Sequence, residues 1–315
     1  MQIILPTDSP TAAQNCPNPA QPATAGCARV RRTGVVPFLW VTALAFALPA
    51  PGRAGESESM ADRSLRRIVE KQKGLFADAA KQGDKLDEAT LRPQLQALTH
   101  EYELLLRDNP KFAAGYAAYG YLLSKVDMRK EAAAMMLKAN EFDPDIPLVK
   151  NQLGNFMAED GKPLQAAPYY IAAIKLSPNE PLYHYQLGTL LTEARDEFLK
   201  SGEWTRATID TAMFNAFKRA AELAPERIEF AYRFAESFYD LEQPDWSAAL
   251  NAWSALEEKA TTPLERQTMR LHAANICLKL GKREHARALL ATVEDASLQA
   301  QKQKLALELV RQPAK

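Results

Sequence analysis

The sequence predicts an all-α protein made of repeated helical hairpins. Two stretches, residues 111–144 and 145–178, align with each other at a spacing of 34 residues, and each ends in proline. Apolar residues recur at helical spacing along most of the chain, and no alternating strand pattern or Asn-Gly hairpin signal interrupts them. Gly is scarce at 13 residues and 25% of residues are charged, which suits solvated helices. The expected architecture is a row of stacked hairpins.

Matched residue types define the repeat. Aligned on their final prolines, the two stretches share a bulky residue followed by Gly, then small residues, then Pro. The matched pairs are Tyr119-Gly120 with Leu153-Gly154, Leu123 with Met157, Ala132 with Ala166, Met136 with Tyr170, Ala139 with Ala173, and Pro144 with Pro178. This pattern resembles the tetratricopeptide repeat (TPR). The resemblance implies a right-handed superhelical solenoid, whose concave groove is lined by the first helix, helix A, of each hairpin.

Each matched position has a mechanical role. Gly120 and Gly154 let the two helices of a hairpin approach closely, because they carry no side chain. Ala132 and Ala166 are expected where helix A and the second helix, helix B, cross most tightly. The final prolines end helix B, because proline cannot continue a helix.

A third unit continues the register but contains an insertion. Gly188 fits the pattern, yet Pro225 follows Pro178 by 47 residues, which is 13 more than the repeat. The insertion falls around residues 195–206, where apolar residues keep helical spacing, so both helices are predicted to be lengthened and to project about 10 Å beyond their neighbours. Trp204, near the tip, is either a contact residue for a partner or a staple that closes the tip.

Degenerate units flank these repeats. Residues 61–110 are predicted to form an N-terminal helical pair. The array spans residues 111–293 and includes two further units, whose first helices begin near Phe230 and Ala273. Residues 294–312 are amphipathic and rich in Gln, Lys and Glu, as expected of a capping helix with one solvated face.

The first 54 residues have a different composition. Residues 1–28 are rich in Pro, Ala and Thr without apolar periodicity, so we expect them to be disordered or to precede the true start of the protein. Residues 29–54 have the layout of a signal peptide: arginines, an apolar run over 35–50, and a small-residue cleavage site ending at Ala54. Cleavage predicts a periplasmic or secreted protein. The alternative is a membrane anchor formed by residues 35–50, although a spanning helix needs about 20 apolar residues.

The chain after cleavage is expected to be soluble and weakly acidic. It keeps only Cys277, which we expect to be a small buried hydrophobic residue, and no Cys directly follows the signal to carry a lipid anchor. Residues 55–315 contain 35 basic and 38 acidic residues without a Lys/Arg run. This balance argues against binding to nucleic acid.

The chain carries no recognisable catalytic or metal-binding motif. His100-Glu101 begins like a zinc-protease motif, but Leu104 stands where the second His is required. The four histidines lie on separate predicted hairpins, without a Cys or carboxylate cluster at ligand spacing. No Gly-rich phosphate loop or nucleophile elbow follows residue 54. We therefore expect a non-enzymatic protein with neither metal nor cofactor.

The resemblance implies a peptide-binding groove along the A helices. The residues it assigns to the groove are Tyr121, Ser124, Asn151, Gln152, Asn155, Tyr185, Gln186, Thr189, Thr192, Tyr232, Arg233, Glu236 and Tyr239. Amides can hold the backbone of an extended peptide, and Tyr supplies apolar area. The alternative is an ordinary solvated helix surface. Ala117 and Tyr121 replace the Lys and Asn of the family's carboxylate clamp, so a terminal carboxylate is not the expected ligand.

These observations predict a non-enzymatic adaptor or scaffold that binds another protein, or an extended peptide, in the groove. The setting would be a bacterial periplasm or envelope. One alternative is a structural assembly subunit of an envelope complex, which would use the lengthened hairpin and the ends of the array. Another is a helper domain for a separately encoded enzyme.

Overall fold

The computed structural model describes residues 59–83 and 88–311, and every regular element in these ranges is helical. The prediction of an all-α fold is confirmed there. All described residues belong to one compact unit, Ala43–Lys315. The predictions for residues 1–28 and for the signal peptide at 29–54 lie outside the described residues.

Fourteen α-helices occupy the described ranges. They are α1 (Met60–Gln82), α2 (Glu88–Asp108), α3 (Ala113–Lys125), α4 (Arg129–Phe142), α5 (Pro147–Glu159), α6 (Pro163–Leu176), α7 (Pro181–Glu193), α8 (Arg195–Ser201), α9 (Arg206–Leu223), α10 (Ile228–Ser237), α11 (Trp246–Lys259), α12 (Pro263–Lys279), α13 (Arg283–Ala291) and α14 (Gln299–Arg311). Helices pack in pairs as α1 with α2, α3 with α4, α5 with α6, α7 with α9, α10 with α11, and α12 with α13, while α14 packs on α12 and α13.

Local sequence signals set the ends of several helices. Pro147, Pro163, Pro181 and Pro263 stand in the first turns of α5, α6, α7 and α12. Proline suits this position because its fixed φ is helical and its missing N–H would have no helical partner there. Proline therefore begins A helices (α5, α7 and α12) and a B helix (α6) in the same way.

The turns between paired helices repeat one backbone conformation. Asp127 between α3 and α4, Gly161 between α5 and α6, and Gly281 between α12 and α13 have φ values of 59°, 70° and 73°. Asp127 and Gly161 are separated by 34 residues, the period of the repeat. A side chain is disfavoured at positive φ, so glycine fits this turn better than aspartate.

Glycine allows the close contact between paired helices. A Cβ atom on Gly154 would lie 2.8 Å from the ring of Tyr170, and one on Gly188 would lie 2.8 Å from the ring of Phe217. On Gly120 it would lie 3.1 Å from the Cβ atom of Met135. The close approach predicted from the repeat is therefore present in three successive hairpins.

The insertion differs from its prediction. Helix α7 has 13 residues, the same as α3 and α5, and the chain bends at Ala194 before the seven-residue α8. The prediction that both helices are lengthened is wrong for α7. Only the second helix is longer, with 18 residues in α9 against 14 in α4 and α6. The bend lets α8 pack on α6, α7 and α9 and bury Phe198 completely.

Trp204 closes this insertion. Its ring lies edge-on to Phe198, with 5.2 Å between ring centroids, and the side chain is half-buried. This packing on Phe198 agrees with the second alternative for Trp204, a staple that closes the tip, and not with a contact residue for a partner. Burial of these two aromatic rings explains why the inserted residues fold back on the array.

Candidate functional site

The predicted groove residues are recessed in the surface. Tyr121 and Asn151 are buried, with relative exposures of 8% and 1%. The other eleven predicted residues are all half-buried. A fully solvated helix face would expose many of its polar side chains, so these positions are more enclosed than that alternative implies.

A set of polar side chains, the amide cluster, joins α5, α6 and α7. Gln152, Asn155, Tyr170 and Gln186 are linked by hydrogen bonds, and Asn151 stands one turn before Asn155 on the same face of α5. The Oδ1 atom of Asn155 accepts hydrogen bonds from the Tyr170 hydroxyl at 2.8 Å and from Gln186 Nε2 at 2.9 Å. Asn155 Nδ2 makes a long contact of 3.5 Å to Gln152 Oε1. Asn155 is therefore fixed by two helices other than its own.

Part of the amide cluster has unused hydrogen-bonding capacity. Neither Nδ2 nor Oδ1 of buried Asn151 has a hydrogen-bond partner among the described residues, and the same is true of Gln186 Oε1. A buried polar group without a partner costs about 1–3 kcal/mol of stability. Native proteins pair most such groups, so an unpaired carboxamide needs an explanation.

Tyr121 and Lys125 lie on α3 in the A-helix row. Lys125 Nζ lies 5.2 Å from the centroid of the Tyr121 ring, and burial lowers the pKa of this ammonium. The Ser124 hydroxyl donates to the Tyr121 carbonyl at 2.8 Å. Sequence reasoning missed Lys125. Lys125 follows Tyr121 by one helical turn and shares its helix face, and this spacing could have identified it as a residue beside Tyr121.

The predicted residues on α7 mostly serve packing. Tyr185 lies against the rings of Phe230 and Phe217, with centroid distances of 4.9 and 5.8 Å. Thr189 Oγ1 donates to the carbonyl of Tyr185 at 3.0 Å, and Thr192 Oγ1 donates to the carbonyl of Gly188 at 2.9 Å. Gln186 is the predicted residue of α7 that joins the amide cluster.

Arg233 ties α10 to the preceding unit. Its Nη2 atom donates to Thr192 Oγ1 at 3.0 Å and to Asp240 Oδ2 at 3.2 Å. Its guanidinium also lies 4.5 Å from the Phe217 ring centroid and pairs with Glu236 at 3.5 Å. Arg233 and Glu236 are thus already engaged within the protein.

A second group, the aromatic cluster, occupies α10 to α12. It consists of Tyr232, Tyr239, Trp246, Trp253 and His272. The ring of His272 stacks on Trp253, with 3.9 Å between centroids and 3° between planes. The hydroxyls of Tyr232 and Tyr239 each lie 3.4 Å from one His272 ring nitrogen. Burial lowers the pKa of His272 to about 4, which keeps the ring neutral near pH 7.

A surface depression of about 360 Å³ lies between α9 and the segment that follows α10. Buried Asp210 is one of its lining residues. Its carboxylate accepts from Arg206 Nε at 2.8 Å and from the backbone N–H of Glu242 at 2.9 Å. These contacts hold α9 against that segment. The buried carboxylate of Asp210 is therefore already paired within the protein.

Within residues 59–83 and 88–311, no three His, Cys, Asp or Glu side chains are grouped so as to hold a metal ion. In the described part of the chain, no helix combines the length and apolar character needed to cross a membrane.

The structure places six of the thirteen predicted site residues in two groups. Gln152, Asn155 and Gln186 come together with Tyr170, which was not among the predicted site residues, and Asn151 stands one turn before Asn155 on α5. Tyr232 and Tyr239 join His272 and Trp253 instead. These six predicted residues thus lie in two distinct chemical environments, and Tyr239 lies in a 3-10 turn just after α10.

No protein-family model matches the sequence, and no curated protein matches it. Among solved structures, the chain is similar to YrrB, described as a TPR protein with an unusual peptide-binding site, at 19% identity and a TM-score of 0.53 over 67% of this chain and 98% of YrrB. It is similar to PilF of Pseudomonas aeruginosa at 14% identity and a TM-score of 0.53, over 79% of this chain and 100% of PilF.

A chain of the Naa15/Naa10 complex bound to HypK gives 17% identity and a TM-score of 0.51. That match covers 80% of this chain but 34% of the other. The stacked helical hairpins and these likenesses agree with the resemblance drawn from the 34-residue period. The chain therefore has the fold of the tetratricopeptide repeat proteins.

Proposed function

We propose that this protein is a non-enzymatic interaction scaffold that binds an extended segment of a partner protein along α3, α5 and α7. The observation that carries the proposal is buried Asn151, whose carboxamide is unpartnered among the described residues. One turn later on α5, the amide of Asn155 is held in place by Tyr170 and Gln186. Preorganised amides of this kind suit recognition of a polypeptide.

Two further observations support a polypeptide partner. YrrB, which has the same fold, is described as having a peptide-binding site, although that site is a property of YrrB. Tyr121 lies on α3, the preceding A helix, and tyrosine supplies contact area at small entropic cost. Arg233 and Glu236 interact with each other and with neighbouring groups, so they favour a structural role for α10.

Photocrosslinking tests the proposal. A photoreactive residue replaces half-buried Gln152 in the full chain, and a matched control replaces exposed Lys138 on α4. We expect one heterologous protein to be captured from position 152 and not from 138. Equal capture at both positions, or capture of this chain alone, would contradict binding in the groove.

The place of action is part of the same proposal. We propose export through the segment at residues 29–54, with a membrane anchor formed by residues 35–50 as the alternative. Sequencing the N-terminus of the protein recovered from cells distinguishes them. A start at residue 55 supports cleavage, whereas a start upstream of residue 35 in the membrane fraction supports the anchor.

An assembly subunit is the second candidate, and one observation favours it. Leu307 and Val310 on α14 are 58% and 77% exposed at the C-terminal end of the array. The two residues are three apart and share one face of α14, and contiguous exposed apolar patches often mark contacts with another chain. If the paired change Leu307→Ser and Val310→Ser converts an oligomer to a monomer in light scattering, assembly through this end is supported. Contact through the insertion is less favoured, because Trp204 packs on Phe198.

A further inference from the structure

The first helix of the array, α1, carries an excess of positive charge. It contains six basic and three acidic residues, whereas residues 55–315 as a whole contain 35 basic and 38 acidic residues. Helical spacing places Arg63 beside Arg66 and Arg67, which follow it by three and four residues on the same side of the helix. All three side chains are exposed, and together they are called the arginine patch.

The arginine patch opposes the stability of its own helix. Arg63 stands in the first turn of α1, where the positive end of the helix dipole disfavours a cation. Like charges three and four residues apart also repel each other. Among the described residues, no carboxylate forms an ion pair with Arg63 or Arg67 to offset this repulsion, whereas Lys71 on the same helix pairs with Glu101 at 2.6 Å. Residues that break a local rule without a structural gain point to a function that needs them.

A surface that bears many phosphate groups fits this arrangement. A guanidinium pairs with phosphate through two parallel N–H donors. Three arginines that project from an exposed helix face can reach several separate phosphates, whereas a single small anion would engage few of them. A nucleic acid would also extend over neighbouring helices, and α2 carries four acidic residues against two basic ones.

Two features beside the patch favour a lipid membrane as that surface. Met60 is 71% exposed and lies one turn before Arg63 on the same side of α1. An apolar side chain next to arginines can enter the boundary between headgroups and acyl chains while the guanidinium groups stay with the phosphates. In the sequence, the apolar run at 35–50 ends nine residues before Ser59, the N-cap residue of α1. The patch therefore follows closely on the segment proposed to bring the chain to a membrane.

We propose that the arginine patch, with Met60, binds the anionic headgroups of a lipid membrane and holds the N-terminal end of the array against it. The patch is separate from the residues assigned to the groove, so this inference goes beyond the proposed function and does not depend on it. Basic residues near an anionic membrane each favour association about fivefold, so three arginines contribute about 100-fold. The attraction weakens as salt rises, because exposed charges are screened.

Sedimentation with lipid vesicles tests the proposal. The full chain is mixed with vesicles of phosphatidylcholine, or of phosphatidylcholine with phosphatidylglycerol, at low and at high salt. We expect much stronger binding to the anionic vesicles at low salt, and loss of this difference at high salt. An apolar segment at 35–50 would bind both kinds of vesicle alike at either salt concentration, so the charge-dependent part reports the patch. Equal binding to both kinds of vesicle, or binding to neither, would overturn the membrane surface.

Charge variants assign the binding to α1. Changing all three arginines of the patch to Gln should weaken binding to anionic vesicles about 100-fold, and changing them to Lys should restore most of it. The matched control changes Lys130, Lys175 and Lys200 to Gln, which removes the same charge from exposed sites on α4, α6 and α8 and should leave most of the binding. An equal loss in the control would mean that overall charge is responsible, and the patch would be rejected.

Two further measurements complete the test. The Gln variant should melt no lower than the unaltered protein, because repulsion within α1 is removed, and its weaker binding would then not result from unfolding. If the variant folds poorly, the lipid and salt dependence of the unaltered protein still decides. Tighter binding of polyglutamate than of anionic vesicles at the same salt concentration would indicate an acidic protein as the partner and would overturn the membrane assignment.

Discussion

The amide cluster on α5 to α7 and the aromatic cluster on α10 to α12 contain residues at the same repeat positions, yet their chemistry differs. In the first, Asn151 and Gln186 keep buried polar atoms unpartnered among the described residues. In the second, Tyr232 and Tyr239 direct their hydroxyls to His272, which stacks on Trp253. The indole N–H of Trp253 also has no hydrogen-bond partner in the described ranges, but it belongs to helix B of its hairpin. Position in the repeat alone therefore does not make a residue available for binding.

The largest expected effect comes from removing the centre of the aromatic cluster. Trp253 is completely buried against Tyr232, Tyr239 and His272, so Trp253→Ala should lower the free energy of unfolding by about 3–5 kcal/mol. Urea denaturation measures it, with Trp246→Ala at a half-buried site as the control. An equal or greater loss for the control would contradict a structural role centred on Trp253.

Acid should destabilise the aromatic cluster selectively. The pKa of His272 is about 4 in the folded protein, below the value near 6.5 expected after unfolding, so the unfolded chain binds the proton more readily. The stability that this neutral ring contributes is complete above about pH 6.5. It falls by about 3 kcal/mol as the pH drops to about 4, because each tenfold rise in proton concentration favours the unfolded chain by about 1.4 kcal/mol. Hydrogen exchange should show α10–α12 opening before α3–α6. If His272→Gln leaves the acid dependence unchanged, another group is responsible.

A change at Gly154 should disturb the amide cluster through its support. In Gly154→Ala the new Cβ atom would meet the ring of Tyr170, whose hydroxyl holds Asn155. We expect a loss of about 1–3 kcal/mol together with weaker partner capture. Gly74→Ala is the control, because among the described residues no atom beyond its own stretch of α1 lies within 4 Å of the added methyl, and it should stabilise α1 by up to about 1 kcal/mol. Thermal unfolding and crosslinking yields measure the two effects.

Removing the unpartnered carboxamide should stabilise the protein. Asn151→Leu keeps the number of heavy atoms and removes two buried polar groups, so we expect a gain of about 1–2 kcal/mol in the free energy of unfolding. Chemical denaturation is the measurement. A loss of stability would show that the carboxamide has a partner in the folded protein, and the contrast with the aromatic cluster would then disappear.

The smallest effect concerns the turn before the amide cluster. Asp127→Gly should stabilise the protein by about 0.5 kcal/mol, because glycine adopts the φ of 59° without strain. Gly161→Ala, at the equivalent turn one repeat later, should destabilise it by a similar or larger amount. Equal melting temperatures for all three proteins would mean that these turns bear no strain.

The sequence period predicted much of the fold because it reflects contacts within one hairpin. Gly154 and Tyr170 face each other inside a unit, so their spacing indicates helix pairing directly. The bend at Ala194 was not predictable in this way. The apolar spacing runs through it, and only burial of Phe198 against a neighbouring helix decides that the chain folds back.

The site was predicted in position more than in role. The register placed Arg233 on α10 and Tyr239 close to its end, but each residue also has contacts that come from another repeat. Arg233 reaches Thr192, 41 residues earlier in the chain, and Tyr239 reaches His272, 33 residues later. A spacing pattern within one unit carries no information about these partners, so it could not separate binding residues from structural ones.

The repeated left-handed turns have a consequence for how such a gene can change length. Asp127 and Gly161 share a backbone conformation and lie one period apart. Recombination between these two points would delete or duplicate one helix B and one helix A while rejoining the chain at an equivalent turn. The array can therefore gain or lose a whole unit without any new loop, and the length of its groove can evolve independently of its chemistry.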